Sequence, residues 1–138
     1  MVEVERESVE SVFHFLKETN KNIFREPTKQ ILADIVSDLP NAIIVKPLIT
    51  ESPLVENNGV VMPALEKILV DLYTEKDLFS FAQGYEFLNI LRSAVEKYTI
   101  NRDKLLRYAR RRGKKEELQI VLDKINKETQ DKREDLKL

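Results

Sequence analysis

The chain has 138 residues, 23 Lys and Arg against 24 Asp and Glu, one histidine and no cysteine. The absence of cysteine excludes disulfides, thiolate metal sites and cysteine nucleophiles, and His14 alone makes neither a histidine-rich metal centre nor a usual general base. A formal net charge of −1 exerts no global pull on nucleic acid, so any such binding has to come from local clustering.

No apolar run approaches the roughly 18 residues of a membrane span, and the charged start Val2–Glu10 is unlike a signal peptide. A cytoplasmic protein without membrane contact is therefore expected. This length suits one domain, able to bury roughly 68% of the surface of its unfolded chain. Val2-Glu3-Val4-Glu5 alternates like a short strand. Ser8 is placed as the N-cap of a helix whose apolar residues Val9, Val12, Phe13 and Leu16 recur at helical spacing. The Asn20–Asn22 cluster breaks that helix, Ile23-Phe24-Arg25 suits a brief strand, and Pro27 suits the first turn of a second helix carrying Ile31, Leu32, Ile35 and Val36.

Ala42-Ile43-Ile44-Val45 is a continuous, β-branched-rich run, the pattern of a strand covered on both faces. Pro47 limits its continuation. The stretch from Ile49 to Met62, with Pro53, Asn57, Asn58 and Gly59, is predicted as a loop with a short strand at Val60-Val61. From Pro63 the apolar period changes to 3.6. Leu65, Ile68, Leu69 and Leu72 form one stripe. Phe87, Ile90, Leu91, Ala94, Val95 and Tyr98 form the next after Gly84. Asn101 caps a helix with Leu105, Leu106, Tyr108 and Ala109, and Gly113 ends it. A last helix carries Leu118, Val121, Leu122 and Ile125. The expected fold is α+β: a small sheet of three or four strands packed with helices, a helical C-terminal half, one domain over residues 1–126, and a charged, frayed tail over 127–138.

Two charged constellations stand out. Arg107, Arg110, Arg111, Arg112, Lys114 and Lys115 place six basic residues within nine positions. Complementing a helix C-terminus accounts for two or three of them, and the cluster as a whole suits phosphate or an acidic partner, with Glu116 and Glu117 neutralising part of the field. Glu66, Lys67 and Asp71 form the polar face of the Pro63 helix, Lys67 and Asp71 as an exposed i, i+4 pair. A structural role is expected for them, with Glu66 or Asp71 pairing with a basic residue on a neighbouring helix or capping backbone donors. His14, between Glu10 and Glu18, suits an exposed surface position, and the aromatic residues Phe79, Phe81, Tyr85 and Phe87 around Gly84 suit packing. A metal-dependent nuclease core needs Asp or Glu two places before a strand lysine, and Ile44 stands there before Lys46, so an active nuclease is not expected. No cofactor is expected.

The stretch from Pro63 to Arg112 resembles the C-terminal domain of AbiEi-type antitoxins from abortive-infection toxin–antitoxin systems. The likeness rests on Pro63, Glu66, Lys67, Leu69, Val70 and Asp71, then Gly84 before a long helix, then Leu105-Leu106-Arg107-Tyr108-Ala109-Arg110-Arg111. It implies a non-enzymatic regulatory domain that assists repression of its operon. The implied partners are DNA, through phosphate contacts, or an acidic protein. A cognate nucleotidyltransferase toxin is implied as a functional rather than necessarily physical partner. Such regulators usually carry a winged helix-turn-helix ahead of this domain. These residues start almost at the strand and helix that open it, so autonomous sequence-specific DNA binding is not expected. Two other classes are a diverged, inactive nuclease-like domain, with Glu3, Glu5 or Asp34 converging on Lys46, and an interaction module that dimerises through Phe79–Phe87.

Overall fold

The computed structural model describes residues 1–34 and 39–136. Ile35 and Val36, expected on the second helix, lie outside the described residues. The fold is α+β with a helical C-terminal half. Contacts divide the chain into two compact units, Met1–Thr50 and Glu51–Leu138, where length and composition suggest one domain.

The first unit runs β1 (Val2–Val4), a 3-10 turn, α1 (Val9–Lys17), β2 (Ile23–Arg25), α2 (Lys29–Asp34) and β3 (Ile43–Pro47). Its three strands form a sheet of order β1-β3-β2, with both outer strands parallel to β3. Central placement explains the apolar run of Ile43, Ile44 and Val45 that begins β3. Successive side chains point to opposite faces, and Ile44 and Val45 are nevertheless both buried. Val9 of α1 joins Ile23 and Val45 in the core, with Val12, Phe13 and Leu16 packed around them. Burial of such a side chain stabilises by about 1.5–3 kcal/mol. Ser8 stands at the N-cap position of α1, as expected, but does not cap it through its side chain. It closes the 3-10 turn instead, its N–H donating to the Glu5 carbonyl at 2.8 Å.

The second unit begins at Glu51. Residues expected to form a loop make a β-hairpin, β4 (Leu54–Asn57) paired antiparallel with β5 (Val60–Pro63). Asn58 and Gly59 connect them at φ 53° and 79°, the doubly left-handed turn whose twist suits a two-residue hairpin. Four helices follow: α3 (Leu65–Thr74), α4 (Tyr85–Lys97), α5 (Arg102–Arg111) and α6 (Lys115–Asp135). α5 packs against both α3 and α6, presenting Leu105, Leu106, Tyr108 and Ala109 as a wholly buried face. Phe87 and Leu91 of α4 and Leu118, Leu122 and Ile125 of α6 complete the interior. Tyr98, expected in that interior, is exposed beyond the end of α4.

The helix ends follow local chemistry. Asn101 Oδ1 accepts the N–H of Lys104 at 3.0 Å and starts α5. At the other end Gly113, φ 73°, donates to the Arg110 carbonyl and Lys114 to that of Ala109, a Schellman turn that reverses the chain into α6. The tail expected to fray continues as helix to Asp135. Arg92 of α4 donates to Glu128 at 3.3 Å from both Nε and Nη2, Thr129 Oγ1 donates to the Ile125 carbonyl at 3.0 Å, and Glu128 and Lys132 stand at the favourable i, i+4 order.

A Cβ on Gly113 would meet no atom within 4 Å, so the cost of Gly113→Ala is conformational alone. It should lower stability by about 1–2 kcal/mol, measured by urea unfolding followed by circular dichroism. A neutral result would show that the turn is not left-handed in solution.

Candidate functional site

Lys67 and Asp71 lie one turn apart on α3, and the sequence pattern makes them an exposed pair. The structure buries both: Lys67 is 1% exposed and Asp71 6%. The reason is α5, which brings Tyr108 and its C-cap Arg112, one turn apart, against that face. Asp71 Oδ1 accepts from the Tyr108 hydroxyl at 2.7 Å and from Arg112 Nη1 at 2.7 Å, and Oδ2 accepts from Lys67 Nζ. Arg112 Nη2 reaches Glu75 Oε1 at 2.9 Å, and Nη1 also lies 3.2 Å from the Tyr108 oxygen. The Lys67 ammonium stands 5.5 Å from the centre of the Tyr108 ring. Two cations thus meet two carboxylates around one phenol. Among the described residues no buried side-chain nitrogen or oxygen lacks a hydrogen-bond partner.

This cluster clasps α3 to the end of α5: Tyr108 and Lys67 are each 1% exposed, and both donate to Asp71. Burial, followed by the hydrogen bond to Asp71, raises the Tyr108 pKa above 10.0, against the opposing bond from Arg112. Burial works against the Arg112 charge, and its contacts with Tyr108, Asp71 and Glu75 together outweigh that and raise its pKa. The phenol therefore stays a donor and the guanidinium stays charged. Burial, then the charge of Glu117 and a hydrogen bond to it, likewise raise Tyr73. Glu66 has the other expected role: its Oε1 accepts the N–H of Asn101 at 3.3 Å, just ahead of α5.

The clasp removes one arginine from the predicted basic patch, because the Arg112 side chain is only 14% exposed and held inward. Lys114 is partly neutralised by Glu117 at 3.4 Å. Arg107, Arg110, Arg111 and Lys115 remain exposed, and none of their side chains has an ion-pair or hydrogen-bond partner among the described residues. Arg107, Arg110 and Arg111 are spaced i, i+3, i+4 and share one outward face of α5. Lys104, one turn before Arg107, extends that face and was missed in the sequence. Its helical spacing from Arg107 and Arg111 was the available signal. Arg110, Gly113, Lys114, Lys115, Glu116 and Glu117 line an open depression of about 610 Å³ at the α5–α6 turn.

The remaining candidates divide. His14 is exposed and lies 3.8 Å from Glu10. Glu3 on β1 is the register partner of Lys46 on β3. Even so, no group of three or more His, Asp or Glu residues placed to hold a metal occurs among the described residues. Phe79 and Phe81 stack edge to face at 6.2 Å, and Tyr73 packs on Phe87 at 5.2 Å, while Phe81 and Tyr85 are themselves exposed. No helix among the described residues is long and apolar enough to cross a membrane.

Asp71→Ala should destabilise the protein by about 3–5 kcal/mol, because Lys67 and Arg112 keep their charges in a buried site without their shared carboxylate. Arg110→Ala and Arg111→Ala, both exposed, should stay within about 0.5 kcal/mol by the same denaturant titration. Equal losses for all three would remove the distinction between clasp and patch.

The raised Tyr108 pKa sets an alkaline limit. The unfolded chain releases this proton first, so the contribution is intact below about pH 10 and is lost as pH rises through the higher folded value. Melting temperatures from pH 8 to 12 should fall more steeply for the wild type than for Tyr108→Phe. Parallel curves would count against a phenol held protonated by burial.

The profile of the DUF6577 family, a family of unknown function, matches residues 1–128, and the chain belongs to that family. No curated protein and no solved structure matches it.

Proposed function

We propose that this DUF6577 member is a non-enzymatic regulatory domain that supplies sequence-independent phosphate contacts to DNA through Arg107, Arg110, Arg111 and Lys115. The observation that carries the proposal is the exposure of these four cations at the α5–α6 turn with no partner among the described residues. Helix-dipole complementation accounts for Arg110 and Arg111 in the last turn of α5. It does not account for Arg107, or for Lys115 in the positive first turn of α6. Such contacts hold a protein on a duplex without reading its sequence, and they suit an accessory role beside a module that does read it.

The resemblance to AbiEi-type antitoxins gives this role a setting. In that setting the domain assists repression of an operon that also encodes a nucleotidyltransferase toxin, and no stable complex with the toxin is required. An acidic protein surface is the other partner such a patch fits. The overall charge of −1 provides no long-range steering, so binding to DNA is expected to be weak and strongly dependent on salt.

The test is fluorescence anisotropy of a labelled duplex over a salt series. Four phosphate contacts predict a slope of log K against log salt of about −3.6. Arg107→Ala/Arg110→Ala/Arg111→Ala should bring it to about −0.9 while the fold is retained. Arg112 has to stay in place, because its loss would open the clasp and confound the measurement. If the triple variant binds the duplex as well as the wild type at low salt, the DNA role of the patch is wrong.

A further inference from the structure

The apolar stripe of α3 is only partly covered by its neighbours. Leu69 is buried, Leu65 and Leu72 are half-buried, and Ile68 is 41% exposed. Together with Ile90 and Ala94 of α4 they line an open groove of about 390 Å³ between the two helices. That volume lies within the range of roughly 300–1,000 Å³ typical of small-molecule sites, and the mostly apolar lining with a few polar groups is also typical.

Those polar groups are ordered. Asn89, Ser93 and Lys97 fall at i, i+4 and i+8 along α4 and so run down one wall. Lys97 stands at the end of that line in the last turn of the helix. It is exposed, and it makes no ion pair or hydrogen bond among the described residues. A cation in a last turn complements the helix dipole, which explains its sign but not the uncovered leucine and isoleucine wall beside it.

We infer that the α3–α4 groove binds a free single-chain amphiphile with an anionic head. The chain lies along Leu65, Ile68 and Leu72, and a carboxylate or sulfate pairs with Lys97. The groove is open to solvent, and its line of polar groups ending at one cation suits a single molecule with one anionic head lying along it. The site is separate from the cations of the α5–α6 turn and does not depend on their role.

Calorimetric titration of the intact chain tests this, using decanoate and decyltrimethylammonium below their micelle concentrations and decanol below its solubility limit. Decanoate should bind saturably and tightest of the three. Ser93→Trp, at an exposed position whose new ring fills the groove, should weaken decanoate at least roughly tenfold, and Lys97→Glu should do the same and reverse the preference toward the cationic amphiphile. Circular dichroism of both variants should match the wild type. The inference is overturned if decanoate does not saturate, if all three heads bind alike, or if Ser93→Trp binds undiminished. It is also overturned if only anionic vesicles are bound, or if the groove proves to seat a second copy, seen as a dimer that Ser93→Trp dissociates.

Discussion

The second unit depends on one buried carboxylate. Asp71 receives Lys67 from its own helix, Tyr108 from α5 and Arg112 from the C-cap of α5, so two of its three donors join α3 to the end of α5. An ion removed from water in this way is tolerable only when its partners are complete, and here Glu75 balances the second cation. A dry α3–α5 interface filled with leucine would hold the helices together as well. The charged version adds direction, because Tyr108 and Arg112 satisfy Asp71 at only one rotation of each helix.

That rotation has consequences on both helices. Turning Lys67 and Asp71 toward α5 leaves Ile68, with the flanks of Leu65 and Leu72, facing the α3–α4 groove. Turning Tyr108 and Arg112 toward α3 leaves Arg107, Arg110 and Arg111 facing out. The Schellman turn at Gly113 then places Lys115 at the start of α6, next to the end of α5. The apolar groove and the basic surface thus follow from the same constraint, although they suit different ligands.

Much of the secondary structure was legible locally. The helices around Leu65, Phe87, Leu105 and Leu118 announce themselves by period, and Asn101 and Gly113 mark the limits of α5 by capping chemistry. The strand at Ile44 and Val45 is legible because a run covered on both faces needs no alternation. The Asn58-Gly59 hairpin was also written in the sequence, as the dipeptide suited to a doubly left-handed turn. It was obscured by surrounding proline and asparagine and by strands whose residues are all exposed. The continuation of α6 past Asn126 is different, because it is helped by Arg92 from another helix.

The candidate site shows where pattern alone gives out. Hydropathy assigns a lysine and an aspartate at i, i+4 to solvent, and it groups Arg112 with its basic neighbours because they are adjacent in sequence. Burial of a charge is decided by whether a distant partner arrives to neutralise it, and the partners of Asp71 on α5 and at its C-cap are separated from it by 37 and 41 residues. By itself the sequence determined the α+β class, most helix limits and the presence of a basic cluster, since these rest on interactions within a few turns of chain. Only the tertiary structure decided which charges hold the helices together and which remain outside, since that depends on which faces of α3 and α5 meet.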